Sequence, residues 1–400
     1  MKHVFIFIES DLRGKFFYRF KNALQKKMYK IIIITSCPTV WYRAKKQGDI
    51  IYLLSDEKYD QDYSIPLNGE VLEIQSGELS SVAAKSIANS WGGKIRRIAK
   101  KYPADLCMIY NGTTLLPYVA KCWAKKENVK SIFFELSNIP GKMFVDKWGT
   151  NAKSYLYAHP EILDEYEISD IEYRCWKENY FKNKSIVKQA AFSSQIQSVL
   201  LFAVNHLYFS SLLPGLKDKI IYIKSWFYKF LKRYRFKSNH TKKLSFNVLD
   251  YKPYYLFPMQ VTSDSQVLLN SNVSLLDAVG IAMKESSENN VNLIIKPHPA
   301  ELDSTIYSRI HKQYPQAIIL NGDIKEMIRY AEKIITINST AGLESILLGK
   351  KVEFLGKSFY RYFSQRQDLL YKYILGYLIN IDYFASDEIT EEILEECLQR

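Results

Sequence analysis

The feature that most constrains this chain is a pair of series, one toward each end, in which short, continuously apolar runs alternate with helical stretches. In the first series the runs are Val4–Ile8, Ile31–Thr35, Ile50–Leu54, Leu106–Tyr110 and Ile132–Glu135, with helical periodicity between them in segments such as Phe16–Lys27 and Leu115–Lys126. In the second they are Tyr254–Pro258, Leu293–Lys296, Ala317–Leu320, Ile334–Ile337 and Val352–Leu355, separated by Val273–Glu288, Ser304–Tyr314, Ile324–Ala331 and Ala341–Leu348. A strand that is apolar at every position has both faces covered, which is the mark of a parallel sheet with helices on both sides. The spacing therefore predicts an α/β protein with two doubly wound, Rossmann-like domains facing a cleft, residues 1–154 and 251–400, the last helices being free to pack back on the first domain. A chain of 400 residues has room for both.

Residues 155–250 differ in character. They read as a helical, basic insertion or linker, and residues 217–243 hold ten Lys and Arg against the single Asp218, so +9 of the net +13 lies there. Rings interleave with the charges in Ile223-Lys-Ser-Trp-Phe-Tyr-Lys-Phe-Leu-Lys-Arg-Tyr-Arg-Phe236. Such a segment suits a bilayer interface, with rings at headgroup level and cations on acidic lipid, and it equally suits a solvated helix face beside a linker. No nucleic-acid-binding signature accompanies the charge, so no nucleic-acid partner is expected.

Five cysteines without a CxxC or Cys/His spacing support neither a disulfide framework nor a metal site, and reduced thiols in a cytoplasmic protein are expected. The opening run meets Glu9 and Asp11 too soon for a signal-peptide core and reads as a first strand. No stretch approaches the roughly 18 uninterrupted apolar residues of a membrane span.

The candidate chemistry falls at strand ends, where open α/β sheets bind ligands. Lys296-Pro-His-Pro299 directly follows an apolar strand, and its prolines hold Lys296 and His298 in a rigid turn suited to a phosphate. Ile337-Asn-Ser-Thr-Ala-Gly-Leu-Glu344 runs from strand to helix. Its Ser339 and Thr340 hydroxyls and free N–H groups suit an anion, with Gly342 admitting a ligand to the first turn, although an ordinary helix cap has the same residues. Gln260-Val-Thr-Ser-Asp-Ser-Gln266 places Asp264 after a strand, either as a carboxylate for covalent or base chemistry or as a turn or helix cap. Glu135 ends a strand beside Phe133 and Phe134, whose rings would desolvate its carboxyl as a general acid requires. Arg13 and Arg19 add cations near the end of the first strand.

Taken in order, the Glu135 strand with Pro140 and Gly149-Thr-Asn151 behind it, Gln260-Val-x-x-Asp-Ser-Gln266, Lys296-Pro-His-Pro299, Asn338-Ser-Thr-x-Gly-x-Glu344, Gly349-Lys-Lys-Val352 and Leu355-Gly356 resemble the bacterial capsule polysaccharide biosynthesis family. The resemblance implies a GT-B-like architecture and a retaining β-Kdo glycosyltransferase that uses CMP-β-Kdo as donor, with no further cofactor, for capsule or O-antigen synthesis. It implies Asp264 as nucleophile of a double displacement and Glu135 as acid/base, with His298 in the catalytic set. Lys296, His298, Ser339 and Thr340 would hold the CMP phosphate and Glu344 the ribose, and Gln260, Gln266, Asn338 and Gly342 would complete the donor site. Arg13 and Arg19 would contact the acceptor or a carboxylate. Partners would be the nucleotide sugar, a glycan or glycolipid acceptor, and the anionic inner face of the inner membrane through residues 217–243. The alternatives are a transferase using CMP-sialic acid or CDP-glycerol, and a non-catalytic assembly protein docked on the membrane.

Overall fold

A computed structural model describes residues 1–55, 63–67, 69–182, 203–235, 253–301 and 305–400, with the backbone alone for 228–235. The chain divides into two units, the first made of residues 1–155, 178–227 and 374–400, the second of 156–177 and 228–373. Among the described residues, the middle segment is therefore shared between the units and does not stand as a separate body.

The first unit is built on six strands, β1 (Lys2–Ile8), β2 (Tyr29–Thr35), β3 (Ile50–Leu53), β4 (Leu106–Tyr110), β5 (Lys130–Leu136) and β6 (Met143–Asp146), in the spatial order β3-β2-β1-β4-β5-β6. All pair in parallel except β6, which runs antiparallel to β5. The continuous apolarity of these strands has a direct explanation in the alternation of side chains across a sheet. Phe5, Phe7, Ile32, Ile34 and Ile109 enter one core. Val4, Ile6, Ile8, Ile33 and Met108 enter the other.

Ser10 caps the helix Asp11–Tyr18 by accepting the Arg13 N–H at 3.3 Å. The expected helix Phe16–Lys27 thus starts earlier, and it is broken after Tyr18 before resuming at Lys21–Lys26. With the break in place, Phe16, Phe17 and Phe20 all meet the Phe134 ring, at 5.7, 5.5 and 5.4 Å. Tertiary packing here overrides helix continuity.

The C-terminal residues belong to this unit. Ile379, Ile381, Ile389, Leu394 and Cys397 are buried beside Val4 and Ile6. Arg19 fastens them. Only 9% exposed, it donates from Nε to the Asp387 carbonyl and from Nη1 to the Asp382 carbonyl, each at 2.6 Å, while its own carbonyl accepts the Ile389 N–H at 2.9 Å. This corrects the ligand-binding role expected of Arg19.

The second unit holds β7 (Tyr254–Pro258), β8 (Asn292–Lys296), β9 (Ile318–Ile319), β10 (Lys333–Thr336) and β11 (Lys351–Phe354), all parallel, in the order β11-β10-β7-β8-β9. Its strands are likewise two-sided, Phe257, Leu293 and Ile335 facing one core and Leu256, Ile294 and Ile334 the other. The expected run Ala317–Leu320 contracts to the two residues of β9 at the sheet's edge.

Arg19→Ala removes the charged donor of two part-buried hydrogen bonds, a loss of about 2–3 kcal/mol. The expected outcome is an earlier first transition in thermal or urea unfolding, with protease cleavage appearing first in residues 374–400.

Candidate functional site

In each sheet the strand order reverses once, and ligands of open α/β sheets collect at the carboxyl ends of the strands flanking such a reversal. In the second unit the reversal lies between β7 and β10. Two amides join the loops there. Gln260 Nε2 donates to Asn338 Oδ1 at 2.9 Å, and the Asn338 N–H donates to Gln260 Oε1 at 3.1 Å. Asn338 Nδ2 reaches on to the carbonyls of Gln266 (2.8 Å) and Asn270 (3.3 Å), and Asn270 Nδ2 donates to Gln266 Oε1 at 2.9 Å. Gln260 and Asn338 are 4% and 6% exposed. These contacts make Gln260 and Asn338 the framework of the site, with Gln266 tied to it through Asn270 and its own carbonyl.

Around this framework stand the groups with chemistry. Asp264 is the N-cap of the helix Ser265–Asn270, one carboxylate oxygen accepting the Gln266 N–H at 2.8 Å. The capping reading of Asp264 therefore holds, and it leaves the second oxygen outside that bond. At the end of β8, His298 Nδ1 accepts the Ala300 N–H at 3.1 Å. A ring nitrogen that accepts cannot carry the proton, so the neutral ring bears it on Nε2 and presents a donor. Burial holds His298 below its ordinary pKa; Asp264 and Glu301 pull it up and Lys296 pushes it down. Lys296, half-buried, is likewise lowered by burial, with Asp323 opposing.

Ser339 caps the helix Thr340–Leu347, accepting the Ala341 N–H at 3.1 Å, and Thr340 is exposed at its first position, with half-buried Glu344 one turn on. Gly342 has another purpose than ligand access: a Cβ there would lie 2.5 Å from the Phe354 ring, so glycine lets β11 pack against the helix. Gly356 is similarly tight, a Cβ falling 2.7 Å from Ile337. Arg361, which sequence reasoning passed over, donates from Nη2 to the Gly356 carbonyl at 2.8 Å. The set offers N–H, hydroxyl and ammonium donors beside the Asp264 and Glu301 carboxylates, and those donors suit a phosphorylated ligand. Among the described residues no group of three or more His, Cys, Asp or Glu side chains is placed to hold a metal ion.

In the first unit the reversal lies between β1 and β4. Glu9 and Arg13 form an ion pair there, and the Arg13 guanidinium lies over the Tyr110 ring, 4.1 Å from its centroid. Burial raises the Glu9 carboxyl above its ordinary range, against the pull of Arg13. Asn111, in the left-handed region at φ 61°, donates to Glu135 and accepts from Thr113 Oγ1 at 2.6 Å, while its carbonyl accepts from Thr150 Oγ1 at 3.1 Å. Glu135 also accepts the Leu136 N–H at 3.1 Å. Phe133 and Phe134 are buried in the two cores, and the Asn111 amide and the Leu136 N–H are among the polar groups that meet the Glu135 carboxyl. Glu73 caps the helix Leu115–Lys126 from a distance, both oxygens accepting the Leu115 N–H at 3.1 Å, and burial pushes it up to about 7. Glu9 and Glu73 escaped sequence reasoning because neither sits in a motif; only position after β1 marks Glu9.

The model of the family described as capsule polysaccharide biosynthesis protein matches residues 98–364. The capsule polysaccharide export protein KpsS of Escherichia coli is 23% identical over 67% of this chain and 71% of its own length. Protein FixF of Sinorhizobium fredii is 38% identical over 31% of each chain, so this match spans about a third of that relative. Among solved structures, the Thermosulfurimonas dismutans KpsC β-Kdo 2,7 transferase is 17% identical, with 76% of this chain and 88% of that one covered and a TM-score of 0.40.

The His298 ring yields a prediction. Its folded pKa lies below the ordinary 6.5, so the stability it contributes is complete above pH 6.5 and is lost as pH falls from there through the folded value. Nitrogen-15 NMR of histidine-labelled protein is expected to show the Nε2–H tautomer at pH 7 and a titration midpoint below 6.5, with His298→Ala identifying the signal.

Proposed function

The chain belongs to the capsule polysaccharide biosynthesis family, and from that membership we propose that it is a retaining glycosyltransferase that moves Kdo from CMP-β-Kdo to a glycan or glycolipid acceptor of a bacterial surface polysaccharide. The observation that carries this reading is the position of Asp264: its loop after β7 is joined through Gln260 and Asn338 to the Ser339-capped helix after β10, and its charge acts on His298, which with Lys296 stands at the end of the neighbouring β8.

In the first step the Asp264 oxygen not engaged by Gln266 attacks the anomeric carbon. The bond from that carbon to the phosphate oxygen breaks, and CMP leaves with the electron pair. Lys296, the His298 Nε2–H and the helix N-terminus stabilise the charge gathering on the phosphate, with Ser339 and Thr340 beside them. In the second step an acceptor hydroxyl attacks the glycosyl carboxylate, gives up its proton to a base and regenerates Asp264. Two inversions give net retention. We assign acid/base chemistry to Glu135, an acceptor-side contact to Arg13 and ribose binding to Glu344. The Gln260–Gln266 run favours Kdo over CMP-sialic acid or CDP-glycerol through its resemblance to the family.

The acceptor is proposed to lie at an anionic membrane face, with the enzyme peripheral on its cytoplasmic side. No helix among the described residues is long and apolar enough to cross a membrane. Residues 203–212 and the helix Leu216–Arg235 instead carry an exposed apolar set, Val204, Leu207, Leu216 (74% exposed), Ile220, Ile223 and Phe227. Lys217, Lys219 and Lys224 lie in the same helix. The pair is fastened to its unit by Tyr208 Oη donating to the Leu54 carbonyl at 2.9 Å and Ser80 Oγ donating to Asp218 at 2.7 Å. Of the expected docking segment, 236–243 and the side chains of 228–235 lie outside the described residues.

A donor screen with CMP-Kdo, CMP-sialic acid and CDP-glycerol, read as nucleotide release with lipid extracts as acceptor, is expected to select CMP-Kdo. Asp264→Ala is expected to lower transfer by on the order of a thousandfold or more while CMP still binds. Intact-mass measurement of enzyme with donor alone is expected to show a Kdo adduct on Asp264. Unchanged turnover in Asp264→Ala refutes Asp264 as the nucleophile, and absence of nucleotide release from all three donors favours the assembly-protein reading. In flotation with phosphatidylglycerol vesicles, Leu207→Ser combined with Lys217→Gln, Lys219→Gln and Lys224→Gln is expected to abolish co-flotation, and binding that persists at moderate salt refutes the docking surface.

A further inference from the structure

Pro297 and Pro299 lack N–H groups, so the turn that carries His298 has few backbone donors with which to fasten itself. Beside the Ala300 N–H bond to His298 Nδ1, Glu301 holds it. Its N–H donates to the His298 carbonyl at 3.1 Å, closing the turn. Its carboxylate crosses to the loop after β7, where it accepts the Thr262 N–H at 2.6 Å and the Thr262 hydroxyl at 3.3 Å. Thr262 stands two residues before Asp264, whose N–H closes a turn onto the Val261 carbonyl at 2.9 Å. One side chain thus ties the His298 turn to the Asp264 turn.

A fastener alone would not need a charge. Glu301 is 5% exposed, and burying a carboxylate costs several kcal/mol of solvation that a neutral amide would avoid. The Tyr307 phenol also faces Glu301, and burial and that carboxylate together push it up to about 12. The charges facing His298 are Asp264, Lys296 and Glu301. With Glu301 the balance is two carboxylates against one ammonium; without it Asp264 and Lys296 stand alone.

Resting on the glycosyltransferase reading above, we infer that Glu301 is a positioning residue: it holds the His298 imidazole and the Asp264 carboxylate in one reactive geometry and supplies the charge that offsets Lys296 beside that ring. It touches neither donor nor acceptor. Its effect falls on the rate of the chemical step and on the His298 environment, and hardly on donor binding.

The test compares Glu301→Gln and Glu301→Ala in the full chain. Glu301→Gln keeps an oxygen for the Thr262 N–H and removes the charge, so the His298 midpoint is expected to move down, because a carboxylate that favours the imidazolium is gone. With CMP-Kdo, kcat is expected to fall by about tenfold and KM for the donor to change by less than about threefold. Glu301→Ala is expected to lose more of kcat, and Glu301→Gln decides if the alanine variant does not fold. A His298 midpoint unmoved in Glu301→Gln, or a kcat within twofold of the parent, overturns the inference. If the parent protein turns over none of the three donors, the glycosyltransferase reading falls; the titration of the ligand-free variant still decides whether Glu301 sets the His298 environment.

Discussion

The second unit depends on the exchange of hydrogen bonds between Gln260 and Asn338 across the β7/β10 reversal. At that place two neighbouring parallel strands send their chains away in opposite directions, and no ladder bonds remain to hold the loops together. Amides suit the task. Each offers donors and acceptors in one plane and carries no charge, so burial costs far less than it would for an ion pair. Asn338 extends the same plane to the Gln266 and Asn270 carbonyls, which fixes the start of the helix behind Asp264. Ser339, the next residue, begins the helix Thr340–Leu347. Loss of one partner would strand several buried polar groups, each worth about 1–3 kcal/mol.

The two reversals carry different ionisable groups. At the first reversal the titratable groups are chiefly carboxyls, Glu9, Glu73 and Glu135, with Arg13 as the paired cation. At the second they are Lys296, His298 and a helix N-terminus, balanced by Asp264 and Glu301. The first set suits uncharged hydroxyl-bearing groups, which a carboxylate receives as hydrogen-bond donors; the second suits phosphate. A chain with net charge +13 places little of that excess at either set, since +9 lies in residues 217–243.

What could be seen in the sequence followed from local rules. Strands apolar at every position announced two-sided sheets, and all ten expected runs are strands, with Ala317–Leu320 reduced to its two central residues because it lies at an edge. Asp264 and Ser339 were legible as caps because a cap is a local bond to an N–H two residues on. The rest was set by partners distant in sequence. Nothing near Arg19 reveals the Asp382 and Asp387 carbonyls more than 360 residues away. Gly342 looked like room for a ligand because the Phe354 ring that occupies the space belongs to another strand. Glu301 lies outside every sequence motif, and only the approach of Thr262 gives it a place in the site.

The double duty proposed for Asp264 is compatible with this architecture. A carboxylate that caps a helix is held by a bond to one oxygen, which fixes the rotamer and leaves the other oxygen aimed by the same constraint. A nucleophile needs that property, since a flexible carboxylate would have to be ordered at each turnover. Capping and attack are therefore compatible, and the cap removes an entropic cost from the attack. The same logic applies to His298, whose Nδ1 is tied to the Ala300 N–H so that its donor is confined to Nε2. Asp264 and His298 each have one polar atom bound to backbone and another directed by that bond, and the loops that carry those backbones are joined through Glu301, Thr262, Gln260 and Asn338. Rigidity at the strand ends is what lets a helix-capping carboxylate and a proline-flanked imidazole serve the roles proposed for them.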